Sequence, residues 1–179
     1  MKKIIFVLGV FLMGVSFSSC DEDDIKDLLP SFDVNLNETL YIPLDINQTN
    51  GERVSFSEVN FLSIDNLDTE DYLDKIKEVK IISLSYKIVN FNGDPVGDVS
   101  GSFSVAGQVS LSNEFVVKTS ADNGVVYNID DVNELSRIAN ALLSKKTVGV
   151  EYAGDALCDD DNMSFQVEVS FVAKVTIDP

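Results

Sequence analysis

The chain has 179 residues, with 13 Lys and Arg against 30 Asp and Glu, no His, no Trp and two Cys, for a formal charge of −17. Without His there is no Ser-His-Asp or Cys-His catalysis and no His-ligated metal, and two Cys are too few for a thiolate zinc cage or a disulfide framework. A surplus of acid this large opposes nucleic-acid binding, which neutralises phosphates with Lys and Arg, and opposes docking on anionic lipid by basic attraction.

Lys2 and Lys3 open the chain, and Ile4 to Phe17 is an uncharged, mainly apolar run of 14 residues. Spanning a bilayer takes about 20 residues at 1.5 Å rise, so the run has the length of a signal-peptide core instead. Small Ser18 and Ser19 follow, and Cys20 stands where the chain turns polar. The stretch VSFSSC resembles the lipobox of bacterial lipoproteins, where a signal peptidase cuts before a Cys that carries the lipid. Phe17 occupies the position where that motif more often has Leu. The resemblance implies a signal peptide over 1–19, and acyl chains (palmitate among them) on Cys20 that anchor the protein to a membrane without spanning it. An ordinary secretory leader is the competing reading. Cleavage leaves 11 cations against 30 acids, a charge of −19.

Asp21, Glu22, Asp23 and Asp24 stand directly behind Cys20. This tetrad resembles the surface-export tag of Bacteroidota lipoproteins, which implies an outer-membrane protein displayed on the cell. The alternative is a solvated tether, kept extended by its own repulsion, on a lipoprotein facing the periplasm. Residues 20–30 are read as the lipidated Cys and tether, and 31–179 as a single β-rich domain.

Weak alternation predicts strands over 31–37, 39–46 and 53–64, with a parity slip between Phe56 and Val59 that predicts a bulge or turn. A helix is expected over 68–77, where acids stand at the start and Tyr72 or Leu73, Ile76 and Val79 recur at helical spacing. A strand over 79–91 follows. In 97–111 every odd position from Val99 to Leu111 is apolar or Gly, which predicts one long strand, with Gly101 and Gly107 marking bends or bulges. Shorter strands are expected over 115–118, 125–129 and 147–152. Between them lies the stronger helix, 131–144, where Asp131 and Glu134 form a capping-box pattern and Val132, Leu135, Ile138, Ala139, Leu142 and Leu143 line one stripe. Alternation is clearest in 163–177, where Phe165, Val167, Val169, Phe171, Val175 and Ile177 share a face. Three Asn-Gly pairs, at 50–51, 92–93 and 123–124, have the chemistry of tight hairpin turns.

One dry and one wet face per strand is the pattern of antiparallel sheet. The expected fold is therefore an antiparallel β-sandwich, immunoglobulin-like or similar, of seven to nine strands with two short peripheral helices. A closed antiparallel barrel is the alternative.

Carboxylates alone could still run acid–base chemistry, yet none stands beside a recognisable partner, and a non-enzymatic role is expected. The five Tyr are scattered in sequence, and Tyr86 shares parity with Ile82, Leu84 and Ile88, which marks it as core. Acids around Cys158 disfavour its thiolate, so an inert loop thiol is expected. The loop 154–162 gathers Asp155, Asp159, Asp160, Asp161 and Asn162, oxygen donors of the kind calcium takes. Their spacing does not match an EF-hand, and a solvated acidic turn is the simpler reading. No other cofactor is expected. The functional expectation is a cell-envelope binding module with a protein or glycan partner; the alternatives are an assembly subunit that adds a strand to a larger complex, and a small-ligand carrier. A long exposed edge strand would favour the assembly role.

Overall fold

The structure is a computed structural model and describes residues 30–66 and 68–178. Eight strands account for most of it. They are β1 (Phe32–Ile46), β2 (Val54–Ser63), β3 (Ile76–Gly93), β4 (Asp98–Val105), β5 (Gln108–Val116), β6 (Val126–Asn128), β7 (Thr147–Leu157) and β8 (Met163–Ile177). Helix α1 (Val117–Asp122) precedes β6, and α2 (Val132–Lys145) precedes β7.

All pairings are antiparallel, and the strands form two sheets ordered β1-β8-β3-β6 and β2-β7-β4-β5. This makes a β-sandwich, with eight strands inside the expected range and two helices. Neither sheet closes into a barrel. Consecutive strands alternate between sheets except at β4–β5, and the first strand pairs with the last. That order is the double Greek key of an eight-stranded jelly roll.

The core follows from alternation. Along β8, Met163 and every second residue to Ile177 is buried, while the residues between are half-buried. Each fully buried Val, Ile or Phe contributes about 1.5–3 kcal/mol relative to exposure. Leu36, Ile42 and Leu44 of β1 and Leu84, Tyr86 and Ile88 of β3 extend the same layer, and Phe103, Val150 and Tyr152 face it from the second sheet.

Several sequence-based boundaries change. The two strands expected over 31–46 are one, paired with β8 throughout. The helix expected over 68–77 shrinks to a single 3-10 turn, Glu70–Tyr72. Local side chains take the backbone groups that a helix would need: Asp68 N donates to Asn66 Oδ1 at 3.0 Å, Asn66 N donates to Thr69 Oγ1 at 3.2 Å, and buried Thr69 bonds to the Ile64 carbonyl. Such bonds compete with helix formation. Ile76 and Val79 instead pair with Ile177 and Val175 in the sheet. The segment expected as a strand over 115–118 ends β5 and starts α1.

The long strand expected over 97–111 is a hairpin, β4 and β5. Its turn residues Ala106 and Gly107 have φ of 54° and 79°, the paired positive values of a two-residue hairpin turn. Gly101 makes no bend, for its pairings with Asn113 and Gly154 are in register. Its missing Cβ leaves room for Tyr152: an added Cβ would lie 2.6 Å from Tyr152 Cζ and closer still to the hydroxyl. None of the three Asn-Gly pairs closes a hairpin. Asn50-Gly51 lies in the link between sheets, Asn92-Gly93 remains paired with Ser164 and Met163, and Asn123-Gly124 ends α1.

Helix α2 matches its expectation to within a residue or two. Asp131 Oδ1 accepts from Asn133 N at 2.8 Å and Glu134 N at 3.0 Å, capping two of the helix's orphan amides. Glu134 does not complete the capping box. It bonds instead to Ser110 and Arg137, whose guanidinium holds its carboxyl below the usual range.

Candidate functional site

Strand direction gives the sandwich two unlike ends. Phe32 pairs with Ile177, and Ile76 pairs with Ile177 from the other side, so both ends of the described chain leave from one end of the sandwich. The loops β1–β2, β3–β4 and β7–β8, together with α1, lie at the other. Fifteen-residue strands at about 3.3 Å per residue separate the two ends by roughly 50 Å. Cys20 and the tetrad Asp21, Glu22, Asp23 and Asp24 lie outside the described residues.

Three of the far-end loops are knotted together by polar groups distant in sequence. Thr49, itself buried, donates from its amide to Cys158 O at 2.9 Å and accepts from Cys158 N on its hydroxyl at 3.2 Å. Asp159 Oδ1 accepts from Thr49 Oγ1 at 2.8 Å and from Gly51 N at 2.7 Å. Asn162 Oδ1 accepts from Gln48 N at 2.8 Å. The sequence-based ligand candidates are therefore mostly engaged within the protein. Asp155 sits on β7 and takes the Ser55 hydroxyl at 2.6 Å, Asp159 and Asn162 tie the β1–β2 loop, and Asp161 accepts from Asn162 N at 2.7 Å. Asp160 and Asp161 are exposed. Among the described residues, no group of three or more His, Cys, Asp or Glu side chains is placed to hold a metal ion.

Asp94 is the residue that sequence reading missed. It is shut off from solvent, though only a thin shell of chain covers it. Its Oδ1 accepts from Val96 N at 2.9 Å and its Oδ2 from Asp160 N at 3.0 Å, which ties the β3–β4 loop to β7–β8. Burial pushes its carboxyl up, but the backbone amides around it pull harder and hold it below the usual carboxylate range. A signal was present: Asp before Pro favours a turn in which the carboxylate takes the amide two residues on.

Cys158 is buried, with its thiol 3.3 Å from Asn47 O. Burial first, then the charges of Asp94 and Asp159, pushes the thiol up in pKa, so the expected direction holds while its leading cause is desolvation. The Tyr residues are less scattered than their numbering implies. Tyr86 stacks on Phe103 and Tyr127 at 4.8 Å each, and Tyr152 lies 5.8 Å from Tyr86 and 5.7 Å from Phe56. These rings fill the space between the sheets. Burial raises Tyr86 to about 12 and moves Tyr152 in the same direction.

Taken together, the described residues form an antiparallel jelly-roll domain with a knotted acidic end. No family model matches the chain, and no curated protein does. Among solved structures it is similar to the decameric BFDV capsid protein, at 9% identity over 80% of this chain and 99% of that chain, with a TM-score of 0.44. It is also similar to desmodium yellow mottle tymovirus, at 13% identity over 99% and 95%, with a TM-score of 0.37. For turnip yellow mosaic virus the identity is 11% over 79% and 94%, and the TM-score is 0.31. The jelly-roll assignment rests on the strand order itself.

Proposed function

We propose that the chain is an outer-membrane lipoprotein, anchored through Cys20, whose jelly roll is a non-catalytic binding module displayed at the cell surface. Its support begins with the leader, VSFSSC and the acidic tetrad. The observation that carries it further is polarity: the described chain begins at the end of the sandwich opposite the knotted loops, so an anchor ahead of Pro30 leaves the acidic far end pointing away from the membrane. The space between the sheets is occupied by aromatic side chains, which favours recognition at the surface over carriage of a ligand inside. The loop carboxylates of Asp160 and Asp161 supply charge for a polar partner.

The test has two arms. Wild-type protein should partition into the detergent phase of a phase separation, and Cys20→Ala should accumulate as uncleaved precursor or move to the aqueous phase. Identical aqueous partitioning of both would end the lipoprotein reading. Changing Asp21 to Asp24 to Ala should protect the protein from protease added to intact cells. Undiminished shaving would reduce the tetrad to a spacer.

A further inference from the structure

The two sheets have four edges, and three are guarded in the usual ways. β1 carries Pro43 and exposed Asp33 and Asp45, β6 has three residues, and β5 pairs with β4 through a register irregularity at Phe103 and Ser104. β2 is the least guarded of the four, with exposed Glu58 as its single acid. Its ten residues pair with β7 in unbroken register, without Pro or Lys.

The phase of its backbone is fixed by two bonds. Ile64 N donates to Lys146 O, continuing the β2–β7 register, and Ala106 N donates to Gly149 O, turning Gly149 toward β4. Bonding directions alternate along a strand. Even-numbered residues of β2 therefore bond to β7, and Ser55, Ser57, Val59 and Phe61 turn their amides and carbonyls to the free edge. Asn60 closes this edge at one point, taking Phe61 N on Oδ1 at 2.8 Å and giving Nδ2 to Tyr41 O of β1 at 2.9 Å. Among the described residues, the amides of Ser55, Ser57 and Val59 have no partner. On the far-end side of this clip lies an open groove of about 390 Å³, lined in part by Asp45, Ile46, Gln48, Phe56 and Glu58. Val59 and Phe61 stand on the outer face beside it, 51% and 66% exposed.

Charge selects the occupant. Asp45 and Glu58 line the groove, and Asp155 and Glu151 stand across from Ser55 and Val59 on β7. Arg53, one residue before β2, is already held by Asp98 and Glu114. We propose that the free edge of β2 from Ser55 to Val59 receives an extended segment of a partner protein, apolar at alternate positions and flanked by Lys or Arg. This rests on the reading of the domain as a binding module and not on its lipid anchor. The main chain of the segment would bond to the three free amides and their carbonyls, its apolar side chains would cover Val59 and Phe61, and its cations would meet the acids around the groove. A second copy of this chain would bring another 30 acids to the same place.

The test uses purified full-length protein in mild detergent and two fluorescent octapeptides, Lys-Val-Thr-Val-Thr-Val-Thr-Lys and the same sequence with Glu at both ends. The basic peptide should bind saturably, and the acidic one at least tenfold more weakly. Ser57→Pro removes an outward amide that makes no bond to β7, so it should weaken the basic peptide at least tenfold with little change in melting temperature. Asp45→Lys combined with Glu58→Lys should reverse the preference between the peptides, an outcome that mere destabilisation cannot produce. The proposal is overturned if neither peptide saturates, or if Ser57→Pro binds as wild type does. It is equally overturned if sedimentation shows a dimer that Ser57→Pro dissolves, since the edge would then belong to a second copy.

Discussion

Tyr152→Phe should stabilise the protein, against the usual direction for a core substitution. Tyr152 is fully buried between the sheets, with ring contacts to Phe56 and Tyr86, and its hydroxyl has no hydrogen-bond partner among the described residues. A buried hydroxyl without a partner costs about 1–3 kcal/mol on mutational scales. Phe keeps the ring and its packing and removes only the oxygen that presses into the notch at Gly101. The net gain should be about 1–2 kcal/mol, which for a domain of this size raises the melting temperature by about 2–8 °C. Tyr86→Phe is the control, because it is the same chemical change at a satisfied hydroxyl. That oxygen accepts from Asn113 Nδ2 at 2.8 Å, so the change should cost about 0.5–1.5 kcal/mol. Urea unfolding of both variants, at an unchanged m value, separates the cases. If Tyr152→Phe loses stability as Tyr86→Phe does, the hydroxyl has a partner, such as an enclosed water, and the reasoning is wrong.

Asp94 makes stability pH-dependent at the acid end. Its folded pKa lies below its unfolded value, so its contribution is complete above roughly pH 4 and drains away as pH falls through the folded value. Asp94→Asn should lower stability at pH 7 and flatten the acid limb of a melting-temperature profile; a parallel profile would deny Asp94 this role. Asp131→Ala should cost about 1 kcal/mol by uncapping α2, with Asp131→Asn close to wild type, as read by urea midpoint. Because Asp155 and Asp159 already hold Ser55, Thr49 and Gly51, 1 mM calcium should raise the melting temperature no more than matched ionic strength does. An excess shift abolished by Asp159→Asn with Asp161→Asn would restore the loop as a calcium site.

What the sequence revealed is what depends on near neighbours. Period-two alternation located β8 to the residue, and the apolar stripe with its Asp131 cap located α2, because each signal lies within a few residues of its effect. Pairing partners do not. Asn-Gly favours the backbone of a hairpin turn, yet the strands flanking Asn50-Gly51 go to opposite sheets, and the one hairpin among the described residues turns at Ala106-Gly107 instead. Parity ran straight through that turn because apolar residues continue at odd positions on both sides of it. The knot at the far end was equally hidden. Thr49, Asp94 and Asp159 look like ordinary loop residues until the fold brings together groups 66 to 110 positions apart.

The parity slip in β2 carries a different lesson. Sequence alone predicts a bulge or a turn there, but the register against β7 runs unbroken from Val54 to Ser63. The slip is real in composition and has another cause: Phe56 and Leu62 face the core, whereas Val59 and Phe61 face water. A strand under selection for solubility alone would carry polar residues at those two positions, as β4 does with Ser100 and Ser102 on the same outer face. Local rules and global structure agree through most of this chain, so a place where they part asks for a reason outside the fold's own stability. Here the disagreement falls on the least guarded edge, beside an acidic groove and three amides without a partner among the described residues. Burying Val59 and Phe61 under an added strand would remove the conflict, and the same strand would satisfy the amides. One event would thus answer both departures, which is why the edge of β2, and not the more acidic loops, is where a partner strand is expected to lie.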